Sequence, residues 1–296
     1  MLGSMVVDYL TRQTGLTLTA TVRSAALRDR MQHCYPQVRW EIEDFRRTTI
    51  GTAFDHQDWI INAIGITKPL IREDNAPEIL TAIEINSRLP HLIALEATTQ
   101  SKRVLQIATD CVYSGAKGHY VETDVHDALD VYGKTKSLGE CFLASTQHLR
   151  CSIIGPEPKD FKFLIEWFRR QPAGASVNGF TNHHWNGLTT LHFAKICHGF
   201  IEHDLPLTHL QHVVPAGLVT KARMLHEFAR AYGREDITIH DVEAKTIIDR
   251  TLATTNPDKN AQLWRAAGYT QPPTVTEMIE ELGAYDYQGL AGAAHA

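Results

Sequence analysis

The stretch Val104-Leu105-Gln106-Ile107-Ala108, running directly into Thr109-Asp110-Cys111-Val112-Tyr113-Ser114-Gly115, decides how the chain is read. A short, almost wholly apolar run predicts a strand buried on both faces, the kind from which parallel sheets are built. Upstream, Leu16, Leu18, Ala20 and Val22 alternate with Thr17, Thr19 and Thr21, a period of two in β-branched company that predicts a second strand. Between them fall a helical pattern over 25–33, a short apolar stretch around Val38 and Trp40, the apolar run Trp59 to Ile64, and a helical stretch over 78–97 interrupted near Pro90. Downstream, 132–143 reads as helix, and Cys151 to Ile154 as a buried strand ended by Gly155-Pro156. The chain opens on a helix with Met5, Val6, Tyr9 and Leu10 on one stripe and Gly15 placed for a left-handed cap. Strand and helix alternate, which predicts an α/β fold with a doubly wound parallel sheet covered on both faces.

Composition narrows the function classes. The 296 residues carry 29 Lys and Arg against 34 Asp and Glu, a net charge of −5, so a basic nucleic-acid binder is not the expected reading. No apolar stretch approaches the ~20 residues a bilayer crossing needs, and a soluble cytoplasmic protein with no membrane partner is expected. The five cysteines have no C-x-x-C pair, which predicts reduced thiols instead of a disulfide framework. The 16 histidines show no H-E-x-x-H or H-x-H spacing, so no metal site is expected.

Beyond Pro156 the pattern loosens. It holds a helix over 161–170, a polar stretch over 178–190, helices over 192–203 and 219–232, a short strand over 237–239, two terminal helical pieces and a Gly/Ala-rich end at 289–296 that reads as a frayed tail. A second, smaller lobe is expected there.

The chemistry-bearing residues lie in the first part. Tyr132 and Lys136 are four apart on a predicted helix, so one turn sets them side by side. An ammonium beside a phenol favours the phenolate and is expected to lower its pKa from ~10, making the tyrosine a proton donor or acceptor nearer neutrality. The spacing alone equally describes an amphipathic helix with a snorkelling lysine. Thr109 adds a hydroxyl at the carboxyl end of a buried strand, where open α/β sheets bind ligands.

Together, Thr109-Asp110-Cys111-Val112-Tyr113-Ser114-Gly115 and Tyr132-Gly133-Lys134-Thr135-Lys136-Ser137-Leu138-Gly139-Glu140 resemble the T-D-x-V-[FY]-x-G and Y-G-x-[ST]-K-x-x-G-E motifs of the extended short-chain dehydrogenase/reductase family, in its dTDP-4-dehydrorhamnose reductase branch. Asn62-Ala63-Ile64-Gly65, Asn86, the stretch from Arg150 to Gly155 and Trp185-Asn186-Gly187-Leu188-Thr189-Thr190 match in order. The resemblance implies a Rossmann-type NADP-binding domain over 1–155 and a mainly substrate-binding lobe over 156–296, with about 188–215 returning to the first. It implies Thr109 as the hydroxyl that hydrogen-bonds the substrate carbonyl, Tyr132 as general acid, and Lys136 as the group that tunes the tyrosine and binds the cofactor ribose. Gly3, Arg23, Ser24, Asn62, Ala63 and Gly65 are the further cofactor-binding candidates. Asp110, Tyr113, Asn182 and Trp185 are the substrate-binding ones. An arginine and a hydroxyl after Val22, with no acidic residue, suit the 2′-phosphate of NADPH better than NADH.

The implied activity is reduction of a 4-keto-6-deoxy sugar nucleotide, with a nucleotide-sugar and a second copy of the chain in a homodimer as expected partners. Asp110 after Thr109 follows the reductase pattern, not the Asp-Glu pair of a dehydratase. A nucleotide-sugar epimerase or dehydratase of the same fold, or a non-catalytic NADP-binding regulatory subunit, are the alternatives. Asn186 also offers the nucleotide an amide, and Arg169, Arg170 and Lys221 could meet a pyrophosphate, although a tryptophan such as Trp185 suits a core equally well.

One departure concerns the opening. The resemblance implies a first strand and a G-x-x-G-x-x-G loop whose amides face the pyrophosphate. Here Met1-Leu2-Gly3-Ser4-Met5 retains only the third glycine, Gly3. The expectation is a start assigned at an internal methionine, with a real deletion or a strand supplied by another chain as alternatives.

Overall fold

A computed structural model gives the fold and describes residues 1–46, 50 and 54–288. The Gly/Ala-rich end at 289–296 lies outside the described residues. The elements are α1 (Leu2–Leu10), β1 (Thr19–Val22), α2 (Ala25–Cys34), β2 (Arg39–Ile42), β3 (Trp59–Asn62), α3 (Ala76–Ala82), α4 (Leu89–Thr99), β4 (Arg103–Thr109), α5 (Val131–Leu138), β5 (Thr146–Cys151) and β6 (Ile153–Ile154). They continue as α6 (Leu164–Arg169), β7 (Ser176–Phe180), β8 (His184–Trp185), β9 (Leu188–Thr189), α7 (Thr190–Glu202), β10 (Leu210–His212), β11 (Val219–Thr220), α8 (Lys221–Ala231), β12 (Thr238–Val242), α9 (Pro257–Ala266) and α10 (Val275–Ala284).

The main sheet has the order β10-β5-β4-β3, and every pairing in it is parallel. It is buried on both faces, as the apolar run in β4 predicts: Leu105 joins a core with Leu2, Met5 and Val6 of α1 and Phe193, Ile196 and Phe200 of α7, while Val104 joins Leu89, Ile93 and Ala97 of α4 on the other side. β1 pairs only with β2, in parallel, and no ladder joins this pair to β3 among the described residues. A buried carboxylate is one of its attachments, beside the bond from Gln57 to the Thr19 hydroxyl at 3.2 Å and the packing of Leu16 and Leu18 on the main core. Asp8 of α1 is fully buried and accepts from the Tyr35 hydroxyl at 2.7 Å, the Tyr285 hydroxyl at 2.7 Å and the Gln288 amide at 3.1 Å, with Arg12 3.1 Å away. One charge thus ties α1 to the β1–β2 unit and to the chain's end.

Three expectations need correction. α1 ends at Leu10, and Gly15, although left-handed at φ 80°, sits beyond its cap, Thr11. The stretch over 78–97 does not break at Pro90, which occupies the first turn of α4 where a missing N–H is harmless. A π-helical segment, Ile83–Arg88, precedes it, and the extra residue turns Asn86 and Ser87 inward. The strand read over 151–154 is two strands: β5 begins at Thr146, and Ile153–Ile154 pairs with β9 in a separate two-stranded ladder.

Candidate active site

The site is assembled where β4 ends and α5 begins. Thr109 is the last residue of β4, and its hydroxyl oxygen accepts from the Cys111 amide at 3.1 Å, capping the single 3₁₀ turn Asp110–Val112. Asp130 caps α5 by accepting from the Gly133 amide at 2.8 Å, and its other carboxylate oxygen takes the Lys68 ammonium at 2.6 Å. The helix lies so close to the strand end that a Cβ on Gly133 would stand 2.6 Å from the Cys111 carbonyl oxygen. The approach brings Tyr132 beside Thr109, close enough for the hydroxyl to favour the phenolate. The Thr109 hydroxyl also reaches Asp110 Oδ1 at 3.2 Å.

The second face of α5 is held by the π segment. Asn86 Oδ1 accepts from the Ile66 amide at 2.9 Å, while its Nδ2 donates to the Ile66 carbonyl at 2.8 Å and the Thr135 hydroxyl at 3.2 Å. The Ser87 hydroxyl donates to the Thr135 carbonyl at 2.7 Å. Asn86 thereby fixes the loop after β3 and the helix bearing Tyr132 and Lys136 to one another.

Electrostatics departs from the sequence expectation. Burial pushes the Tyr132 phenol well above its usual range, the neighbouring Cys111 and Asp110 add to the rise, and the nearby Thr109 hydroxyl only partly opposes it. Lys136 is buried, donates to the Ile107 carbonyl at 3.1 Å, and is pushed down to about 8 by desolvation, with Glu140 opposing and Arg150 adding. The tyrosine is therefore held protonated, because loss of hydration outweighs any help from the lysine one turn away.

The cofactor candidates divide. A Cβ on Gly3 would meet only the Ala63 side chain, at 3.6 Å, so α1 begins against the end of β3. Arg23 is exposed at the end of β1 and has no ion pair among the described residues. Ser24 is engaged as the N-cap of α2, accepting from the Leu27 amide at 3.3 Å. Asn62 is buried, donating to Gln106 Oε1 at 2.7 Å and accepting from the Ile64 amide at 3.1 Å, and Gly65 lies against Asn86. Asn62 thus shapes its loop with both ends of its amide.

Of the substrate candidates, Asp110 lies at the centre, buried beside Thr109. Tyr113 does not line the site: it is fully buried, its ring stacks on Tyr120 at 4.2 Å, and its hydroxyl donates to the Val121 carbonyl at 3.1 Å. Asn182 is committed to Ala244, donating to its carbonyl at 2.8 Å and accepting from its amide at 2.9 Å. Asn186 is likewise committed to Leu252, at 2.7 and 2.9 Å. Trp185 is buried, donates to the Ser152 hydroxyl at 2.8 Å, and carries the Lys221 ammonium over its ring at 5.6 Å. Arg169 and Arg170 are both committed to Glu166, at 3.0 and 3.6 Å.

Lys221 comes to the reacting end. It opens α8, has no hydrogen-bond acceptor for its ammonium among the described residues, and is pushed down to about 8 by burial, with Asp110 and Cys111 pulling it up and Arg250 pushing it down. Arg250, which no sequence pattern marked, donates to the Tyr113 carbonyl at 2.8 Å and lies close enough to Cys111 to lower its thiol, which burial raises to about 12. Two cations therefore share the neighbourhood of Thr109, Asp110 and Tyr132. All five cysteines are free thiols. No helix among the described residues is long and apolar enough to cross a membrane.

A parallel α/β sheet with a hydroxyl, a phenol and an ammonium gathered at the carboxyl end of an inner strand defines a Rossmann-type α/β protein, with the site where such sheets bind ligands. Residues 1–155 match the signature of the RmlD substrate-binding domain family, and the chain belongs to that family. A dTDP-4-dehydrorhamnose reductase from Aggregatibacter actinomycetemcomitans is 38% identical over 86 residues, which span 28% of each chain. The chain thus matches about 28% of the length of that relative. Among solved structures, dTDP-4-dehydrorhamnose reductase from Bacillus anthracis in complex with NADP has a TM-score of 0.64 at 16% identity, covering 83% of this chain and 90% of that one. UDP-glucuronic acid 4-epimerase from Bacillus cereus, in complex with UDP-glucuronic acid and NAD, has a TM-score of 0.73 at 13% identity, covering 97% and 95%. These two likenesses concern the fold.

Proposed function

We propose that the chain catalyses the NADPH-dependent reduction of the 4-keto group of a 6-deoxy sugar nucleotide of the dTDP-4-dehydrorhamnose type. The observation that carries this reading is the placement of Thr109, the last residue of β4, against the start of α5, which bears Tyr132 and, one turn further along, Lys136, the helix lying so close that a Cβ on Gly133 would stand 2.6 Å from the Cys111 carbonyl oxygen.

The residues present suit a phosphorylated dinucleotide. Arg23 is exposed, with no ion pair among the described residues, at the end of β1 beside the N-terminus of α2, where a 2′-phosphate could be met. Lys136 uses one acceptor, the Ile107 carbonyl, which leaves further ammonium hydrogens for a ribose. The dinucleotide, when bound, supplies the hydride. The chain does the rest. The carbonyl carbon gains that hydride, its oxygen gains a proton, and a secondary alcohol results. Thr109 and Tyr132 both donate to the carbonyl oxygen as negative charge develops there, and Tyr132 transfers the proton. A phenol that burial keeps protonated suits the acid role in the reductive direction. The Lys136 ammonium stabilises the phenolate left behind. Lys221, set over Trp185, and Arg250 supply positive charge for the nucleotide's phosphates.

The test uses the full chain with a dTDP-4-keto-6-deoxyhexose and NADPH deuterated at the transferred position. The reading predicts an alcohol with one deuterium at the reduced carbon and one NADP formed per product. An epimer formed without consumption of NADPH would instead establish the epimerase reading. Tight NADPH binding with no turnover would establish the regulatory one.

A further inference from the structure

Behind Lys136 lies a buried ionic cluster that the proposed chemistry does not use. Glu140 and Arg150 have side chains 6% and 0% exposed, and Arg150 Nη2 donates to both carboxylate oxygens, at 2.6 and 2.7 Å. Arg150 Nη1 lies 3.0 Å from His126 Nε2, and His126 Nδ1 lies 2.7 Å from the Ser137 hydroxyl of α5. Glu140 follows the cap of α5 and stands four residues after Lys136, close enough for their charges to attract. A carboxylate taken this far out of water is tolerated only where its charge is compensated. Here one cation, Arg150, is fixed by the central strand β5. The other, Lys136, belongs to the site.

We propose that Glu140 is a positioning residue whose charge keeps Lys136 an ammonium one turn from Tyr132, with Arg150 clamping the carboxylate in place. The proposal rests on the reading that Lys136 acts as an ammonium. Without Glu140, Lys136 would face desolvation and the repulsion of Arg150 alone. The other titratable groups around the cluster do not replace that negative charge. His126, His148 and His212 are each held neutral by burial, at about 4, and the buried Tyr113 phenol is raised. The arrangement also explains why Arg150 sits in the middle of the main sheet: its role is to orient a carboxylate.

The test reads the titration of Lys136 itself, by the pH dependence of acylation of its amine followed by peptide mass spectrometry, in the full chain and without turnover. Glu140→Gln is expected to move the midpoint down by about one pH unit or more, and Arg150→Met to move it up. A folding defect cannot produce shifts of opposite sign. Should either single variant fail to fold, the double variant Glu140→Gln/Arg150→Met, which leaves no unpaired buried charge, is expected to move the midpoint down by less than Glu140→Gln, because the Glu140 attraction exceeds the Arg150 repulsion. A midpoint unchanged in all variants, or shifted upward in Glu140→Gln, would overturn the proposal. Turnover read in parallel separates the two ideas. If the midpoint moves and the alkaline limb of the rate does not follow, the role of Glu140 stands and the catalytic role of Lys136 falls.

Discussion

Gly133→Ala tests whether the spacing between strand end and helix sets the site. The new Cβ would stand 2.6 Å from the Cys111 carbonyl oxygen and 2.5 Å from the Ala128 Cβ. Both are roughly 0.8–0.9 Å inside ordinary contact, and neither neighbour is the tip of a flexible side chain. The strain must be relieved by moving α5 away from the end of β4. Overpacking of this kind costs about 1–3 kcal/mol, which a urea titration reads directly. Because Tyr132 precedes Gly133 and Thr109 lies two residues before Cys111, the same movement separates Tyr132 from Thr109. A misplacement approaching 1 Å lowers turnover by about 100-fold. The assay pairs the unfolding midpoint with kcat for reduction of the keto-sugar nucleotide. A Gly133→Ala protein with unchanged midpoint and unchanged kcat would refute the reasoning, since the helix would then not be held at the distance on which the site depends.

Three further outcomes are expected. Asp8→Ala leaves the Tyr35 and Tyr285 hydroxyls and the Gln288 amide without their acceptor, which costs about 3–5 kcal/mol of unfolding free energy, read in urea, with little change in the Tyr132 site. Arg23→Ala weakens NADPH by about ten- to a hundredfold and NADH hardly at all, measured as two dissociation constants; parallel weakening would place the specificity elsewhere. Glu122 accepts from the His212 amide at 2.9 Å, the Thr254 hydroxyl at 2.6 Å and the Thr255 amide at 2.8 Å, and although burial opposes the shift, these bonds hold its carboxyl below the usual 4.5. A depressed carboxylate stabilises the fold above 4.5 and loses that contribution as pH falls, so Glu122→Gln should destabilise at neutral pH and converge on the wild type in acid.

The sequence was legible where burial and periodicity agree, and obscure where a buried residue is polar. Val104 to Ala108 announced an inner parallel strand, and the strand is there. β5 is buried along its whole length yet reads Thr146-Gln147-His148-Leu149-Arg150-Cys151, because each polar side chain finds a partner only in the folded chain: Gln147 with His148 and Thr208, His148 with the Cys141 carbonyl, Arg150 with Glu140. No hydrophobic pattern can reveal such a strand. The Tyr132 and Lys136 spacing placed both residues on one helix, but the direction of the phenol's shift depends on desolvation, which the spacing does not encode. Tyr113 sits in the same motif as Thr109 and faces the core, because the chain turns between them. Arg250 arrives from a distant segment and leaves no local trace.

The central claim is that Tyr132 delivers the proton. Tyr132→Phe keeps the ring and removes only the hydroxyl. Single-turnover reduction of the keto-sugar nucleotide by the full chain, measured beside the dissociation constant of NADPH, should fall by ~100-fold or more in rate with that constant unchanged. Equal single-turnover rates in Tyr132→Phe and wild type would contradict the account.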